Sequence, residues 1–242
     1  MRCLCRILGR ERLLIANEIG LSSSDRVIDV GCDRGYFTIA AVKSSGFVVG
    51  VDLMNGFGRH SWWIHFNKAM RLLDLDNRVQ GVRANAVKLP FKNSYFNIAT
   101  AIHCIRSFQS INDIINAVRE MKRVIVGNGY VVLMENISEA RNKRQEIHLR
   151  LHSIRARVLC DKLDYFSEEE LVETVNMAGF RDLEVKVVDY SLCSTPALFY
   201  VDVAKLRGKV EDNIINEYRR LMQLVRRIGE VSPPTIILKA RK

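Results

Sequence analysis

Seven short runs rich in valine and isoleucine recur along the chain: RVIDV (26–30), FVVGVD (47–52), RVQGVRA (78–84), FNIATAI (96–102), YVVLMEN (130–136), LEVKVVDY (183–190) and TIILKAR (235–241). Several are apolar almost throughout, the pattern of parallel strands buried on both faces rather than of sheets with one wet side. Amphipathic stretches with helical spacing separate them, at 35–45, 59–73, 110–125 and 167–178. Strands alternating with helices specify an α/β fold around a mostly parallel sheet. Turn signals fall between the runs: residues 22–25 before the first strand, Gly127-Asn-Gly129 before the fifth, and Gly179 after a helix. Two segments break the alternation. Residues 138–165 read as one extra helix, and 191–233 contain another at about 206–229. Both read as embellishments on a single domain covering residues 1–242.

Hydrophobic residues make up 48% of the chain and charged ones 26%, which suits a globular protein rather than a disordered one. No apolar run approaches the roughly 20 residues of a membrane helix. The N-terminal MRCLCRILGRERLLIANEIG is interrupted by arginines and lacks the continuous apolar segment of a secretory leader, so a cytoplasmic location without membrane partners is expected. Six scattered cysteines form neither a disulfide framework nor a zinc-binding pattern, and no metal is expected. The net charge of +10 favours anionic ligands, nucleic acid among them, although it also serves solubility.

The stretch VIDVGCDRGYFTIA (27–40) carries the chemistry. Asp29 ends the first strand, Gly31 and Gly35 lie in the turn, and a helix begins at Tyr36. Ligands of open α/β sheets sit outside the carboxyl ends of strands, and glycines there permit positive φ and close backbone approach. A dinucleotide fingerprint would need a glycine where Tyr36 stands, and Asp33 would set a carboxylate where a pyrophosphate meets the helix N-terminus. NAD and FAD are therefore disfavoured. Asp52, ending the second run, can accept hydrogen bonds from both ribose hydroxyls, or is a loop or cap aspartate. Downstream come ANAVKLPF (84–91), FNIATAIHCI (96–105) and VREMKRVIVGNGYVVLMEN (118–136).

In this order the motifs resemble those of class I S-adenosylmethionine-dependent methyltransferases, especially the ubiquinone-biosynthesis-like, type 11 group. That group shows D-x-G-C-G-x-G, an acid after strand two, G-D-A-x-x-L-P-F, F-D-x-V and R-V-L-x-P-G-G. The likeness covers about 27–135, resumes in FSEEELVETVNMAGFRDLEV and ends in PPTIILKARK. It implies a Rossmann-like, seven-stranded, mostly parallel sheet with helices on both faces and an antiparallel final strand. It implies S-adenosyl-L-methionine as cofactor, with Asp29, Gly31 and Gly35 around its methionine part. By the same resemblance Asp52 holds the ribose, Asn85 and Ala86 face the adenine, and Ala101, Ile102 and His103 close the pocket under the transferable methyl. Cys32, Asp33, Tyr36 and Leu53 complete the cofactor-side set. Three residues depart from the pattern. Asn85 replaces the aspartate of G-D-A and keeps an acceptor and a donor while losing charge assistance. Asn97 replaces the aspartate of F-D-x-V, a structural place in the family. Asp33 replaces the middle glycine. It either substitutes for glycine at positive φ, or offers its carboxylate to a cofactor that carries two cations and no phosphate, or blocks the pocket.

Methyl transfer is mainly in-line positioning, and a base helps only where the acceptor must lose a proton first. No nucleophile–base pair stands out accordingly, and the acceptor is less legible than the cofactor. His103 and Arg106, leaving strand four, are candidates for the substrate side. On a helical wheel over 141–159, Ile147, Leu151, Ile154 and Val158 form an apolar stripe beside a basic one of Arg141, Arg144, His148, His152 and Arg155. Arg144 and His148 there could receive an anionic group, or the stripe is a solvated face. The 206–229 helix has its own stripe, Ile214, Tyr218, Leu221, Val225 and Ile228, read as core or as the seam of a homodimer. Trp62 and Trp63 read as packing residues, with adenine stacking the alternative. A small-metabolite methyltransferase acting on an anionic substrate is the leading expectation. RNA methylation by the basic helices and a degenerate cofactor-binding protein are the alternatives.

Overall fold

The computed structural model describes residues 2–53, 62–159, 165–180, 182–190 and 210–242. Its elements run α1 (Arg2–Ile19), β1 (Arg26–Val30), α2 (Tyr36–Val42), β2 (Phe47–Asp52), α3 (Trp62–Leu72), β3 (Val79–Arg83), β4 (Phe96–Ile102), α4 (Ile111–Val124), β5 (Ile125–Asn136), α5 (Lys143–Leu159), α6 (Glu168–Met177), β6 (Leu183–Val188), α7 (Asp212–Ile228) and β7 (Thr235–Arg241). A 3-10 turn, Ile105–Ser107, follows β4.

The seven strands form one sheet in the order β3-β2-β1-β4-β5-β7-β6. The first five pair in parallel, and β7 runs antiparallel between β5 and β6. Both faces are covered. Ile28, Val30, Phe96, Ala99 and Leu133 pack beneath Ile114, Met121, Leu171 and Val175 of α4 and α6. Val27, Val48, Ile98 and Val132 pack on the other side against Ile15 and Ile19 of α1, Phe37 and Ala41 of α2, and Phe66 and Met70 of α3. This two-sided burial is why the strands read as unbroken apolar runs.

Local chemistry sets the helix ends. Ser110 caps α4, its hydroxyl accepting from Asp113 N at 3.2 Å. At α6, Ser167 Oγ accepts from Glu170 N at 3.2 Å while Glu170 returns a carboxylate to Ser167 N at 2.8 Å, a capping box.

Three elements differ from the expectations. α1 was not foreseen; its arginines break the apolar pattern, yet Ile15, Ala16 and Ile19 are buried one turn apart. Strand five begins at Ile125 rather than at Tyr130. Gly127-Asn-Gly129 lies inside it, where the register with β4 jumps from Phe96↔Ile125 to Ile98↔Tyr130. The stripe of α7 is centred on Ile215, Tyr218, Leu221 and Val225, with Ile228 46% exposed. It packs on Ile147, Leu151 and Ile154 of α5, so within this chain the two extra helices bury each other's apolar faces. Residues 191–209 of the second embellishment, 160–164 of the first, and the side chains of Trp62 and Val158 lie outside the described residues.

Candidate active site

The carboxyl end of β1 lies at the point where strand order reverses, between β2 and β4, which is where open α/β sheets bind ligands. The turn leaving it alternates its backbone: Gly31 at φ 76°, Asp33 at φ 47° and Gly35 at φ 81° are left-handed. Gly31 N and Cys32 N both donate to Val51 O, at 2.7 and 3.1 Å, and Asp33 N donates to Asp52 Oδ2 at 3.0 Å. The turn is thereby tied to the end of β2. Gly31 has a second constraint: a Cβ there would stand 2.7 Å from Cys104 Sγ and closer still to its Cβ. Asp33 thus occupies the conformation that its glycine predecessor in the family pattern would occupy, at a cost that aspartate tolerates better than most residues.

Asp29 lies beneath the turn. It is 1% exposed, and Thr38 Oγ1 donates to its Oδ2 at 2.6 Å. Burial pushes its carboxyl up to about 6, although the hydroxyl partner pulls the other way.

A cleft of about 570 Å³ opens above the turn, a volume suited to a cofactor-sized molecule. Of the expected cofactor residues, Gly31, Asp33, Asp52, Leu53, Asn85, Ala86 and His103 line it. Asp29, Cys32, Gly35, Tyr36, Ala101 and Ile102 are not among its lining residues. Ala101 and Ile102 are core residues, 1% and 6% exposed. Cys32 is buried against Gly50, and a Cβ on Gly35 would meet Phe66 and Met70, so both support the turn from behind. Sequence reading missed Ser107, Phe108, Gln109 and Asp113, which complete the far wall. Their one signal was the serine cap that starts α4 so soon after β4. Asn85 turns its Oδ1 to Val87 N at 3.1 Å, and Asn97 Oδ1 accepts from Arg26 N at 2.9 Å, which pins the start of β1. Trp63 stacks on Phe66 with ring centroids 5.9 Å apart and packs over Gly81.

Where β4 and β5 end, the structure assembles a buried ionic network. His103 is itself left-handed, at φ 53°, and its N donates to Met134 O at 2.8 Å. Its ring lies between two carboxylates, with Nδ1 3.1 Å from Glu135 Oε1 and Nε2 3.4 Å from Glu11 Oε1. Arg106 Nη1 donates to the same Glu135 oxygen at 2.9 Å and its guanidinium lies 5.0 Å over the Tyr165 ring. Arg12 pairs with Glu11 from the next position on α1. Burial alone would lower the His103 pKa, but Glu11 and Glu135 outweigh it and the net shift is upward. Burial likewise works to raise both carboxyls and is overcome: Glu11 is held down at about 2 by His103, Arg12 and Arg106, and Glu135 is lowered by Arg106 and His103. The two carboxylates thus favour the protonated ring and leave His103 less available to accept a proton than a free imidazole would be. Glu11 and Glu135 were not among the expected site residues.

His148 and Arg144 stand apart from the lining residues of the cleft. His148 is 5% exposed, with Nδ1 2.7 Å from Glu230 Oε2 and Nε2 3.0 Å from Tyr165 Oη. Both ring nitrogens are engaged, and burial holds the ring's pKa down despite Glu230. Arg144 lies against Gly229 at the end of α7. The basic stripe of α5 is thus partly interior.

Residues 4–185 match the family model described as a methyltransferase domain. Demethylmenaquinone methyltransferase of Staphylococcus aureus strain MRSA252 is 29% identical over 127 residues, which is 51% of this chain and 48% of that protein. The chain spans about half the length of the curated relatives it matches. Among solved structures, a cyclopropane-fatty-acyl-phospholipid synthase-like protein from Lactobacillus casei superposes with a TM-score of 0.75 at 16% identity, covering 100% of this chain and 93% of that one. Phosphoethanolamine N-methyltransferase 2 of Haemonchus contortus, in complex with S-adenosyl-L-methionine, does so at 0.62 and 18%, covering 96% and 52%. These likenesses carry the fold, and no helix among the described residues is long and apolar enough to cross a membrane. With the matched model extending over three quarters of its length, the chain belongs to the methyltransferase-domain family, among the class I S-adenosylmethionine-dependent methyltransferases.

Proposed function

We propose that this protein transfers a methyl group from S-adenosyl-L-methionine to a small metabolite bearing an anionic group. The observation that carries the reading is the cleft at the β1–β4 switch point. Asp52 waits at the end of β2, the left-handed turn brings backbone close, and Asp33 Oδ1 is buried there without a hydrogen-bond partner. An acidic wall repels a pyrophosphate and suits a cofactor whose charged groups include a sulfonium and an ammonium. When bound, S-adenosylmethionine supplies a methyl group already activated for transfer. Gly31, Asp33, Asp52, Asn85 and Ala86 would hold it. On the acceptor side His103 would line the cleft, and Arg106, which is not among the lining residues, keeps about a quarter of its side chain exposed.

The arrangement favours a small acceptor over RNA. The α5 stripe that would grip a phosphate backbone is partly consumed inside the protein: His148 is buried against Glu230 and Tyr165, and Arg144 lies against Gly229. Glu11 of α1 also offsets the charge of His103, which lessens its pull on a polyanion.

Calorimetric titration tests the reading. Micromolar-range binding of S-adenosylmethionine and none of NAD is expected; no detectable heat or thermal stabilisation with the cofactor would overturn it. A screen of carboxylate- and phosphate-bearing acceptors with isotopically labelled cofactor then addresses the substrate. Label transferred to RNA at low salt and lost steeply as salt rises would replace the small-metabolite reading.

A further inference from the structure

Asp33 is the residue that most separates this chain from its family pattern, and its backbone explains only half of it. The left-handed φ of 47° would be met equally well by glycine or asparagine. The side chain adds something those residues lack. Asp33 lines the cleft, its backbone N is already committed to Asp52 Oδ2 at 3.0 Å, and its Oδ1 is buried with no hydrogen-bond donor. The Arg34 and Arg12 charges favour the carboxylate through space and the Arg34 backbone N–H assists, yet Oδ1 itself is left without a partner. A buried acceptor left unmatched is costly, so it is retained where a ligand completes it. Burial, aided by the Asp52 charge, also raises the Asp33 carboxyl despite Arg34, a tension that an arriving cation relieves.

We infer that the Asp33 carboxylate is a direct ionic contact for a cationic centre of the bound cofactor, so that the glycine-to-aspartate departure adds a charge-selecting group to the turn. This rests on the reading of the cleft as an S-adenosylmethionine site. Two cations are available to it, the ammonium of the methionine part and the sulfonium. The contact makes affinity depend on ligand charge, with a neutral adenosine thioether gaining nothing from it. The turn then has two independent functions at one position: glycine-like backbone geometry, and recognition by charge.

The test separates them. Asp33→Asn keeps the shape and the tolerance for positive φ but removes the charge, and Asp33→Gly restores the family residue. Each is titrated calorimetrically with S-adenosylmethionine, S-adenosylhomocysteine and 5′-methylthioadenosine, with circular dichroism to confirm the fold. Both variants should bind S-adenosylmethionine about tenfold or more weakly than the wild type, the size expected for a lost charge-assisted contact, while methylthioadenosine binding stays unchanged. Equal weakening for S-adenosylhomocysteine supports the contact and assigns it to the ammonium; weakening confined to S-adenosylmethionine supports it and assigns it to the sulfonium. Variants that bind S-adenosylmethionine within about twofold of the wild type, or that lose methylthioadenosine in parallel, would overturn the inference. A wild-type protein that binds none of the three overturns the reading of the site itself.

Discussion

Replacing Glu135 with glutamine should destabilise the protein by about 3 kcal/mol at pH 6 and lower the pKa of His103. Glu135 is fully buried, and one of its oxygens takes three donors: Arg106 Nη1 at 2.9 Å, His103 Nδ1 at 3.1 Å and Asn136 N at 3.2 Å. Removing one partner of a buried ion pair costs about 3–5 kcal/mol, because the remaining charge is left uncompensated. Arg106 is 27% exposed and Glu11 still faces His103, so the lower end applies. The pH dependence identifies the cause. Glu135 is lowered from 4.5, so its contribution is present above that pH and lost as pH falls through its folded value. His103 is raised from 6.5, so its contribution is present below that pH and lost as pH rises through its folded value. The difference between wild type and variant should therefore peak between about pH 4.5 and 6.5. Urea denaturation across that range measures it, and nitrogen-15 NMR of the histidine rings should show the His103 pKa falling in the variant. A loss under about 1 kcal/mol together with an unmoved His103 titration would refute the coupling.

Gly31→Ala should cost about 3 kcal/mol, combining left-handed strain of about 1–2 kcal/mol with overpacking against Cys104. A Cys104→Gly background should recover the overpacking part but not the strain, read as coupling in a double-mutant cycle by urea titration; additive costs would show that the Cys104 contact is not the constraint. Asp29→Asn should change the pH profile of stability. With its carboxyl raised from 3.8 to about 6, the native state holds the extra proton between those values, so wild-type stability falls as pH rises through them. Relative to the wild type the variant should gain about 3 kcal/mol between pH 4 and 7, and parallel profiles would contradict this.

What the sequence made legible was whatever is local or periodic. Strands buried on both faces announce themselves as apolar runs, and a turn with glycines two before and two after Asp33 announces left-handed backbone. Acids at strand ends mark the ligand edge, and Asp52 lines the cleft. The illegible part consists of pairings distant in sequence. Glu135 looked like the polar end of a strand. Its importance comes from Arg106, 29 residues away, which donates to it, and from His103, which it shares with Glu11 near the start of the chain. His148 fell on a basic stripe by wheel geometry, yet Glu230, 82 residues on, draws it inside. Periodicity places a side chain on a face of its helix; what covers that face is decided elsewhere.

The same distinction limits what net charge says about partners. An excess of ten positive charges suggested an anionic ligand, RNA included, but several of the arginines are structural. Arg78 donates from Nη2 to the carbonyls of Val42 and Ser45, closing the end of α2 onto the turn before β3. Arg123 holds Leu89 O, Phe91 O, Asn93 and Glu120 together, and Arg83 donates to Leu53 O beside the cleft. A guanidinium spent on backbone carbonyls contributes to the total without being free to bind a phosphate. On the proposed reading, the charges that bear on the acceptor are fewer and local: His103 and Arg106 lie against Glu135 and Glu11, so these cations are already partly balanced. If the site binds an anion as proposed, it would do so by a few directed contacts rather than by a broad basic surface, which would suit one small acid better than a polyanion. On that reading the proposed methyl transfer should depend weakly on ionic strength, whereas capture by a basic surface would weaken steeply as salt rises.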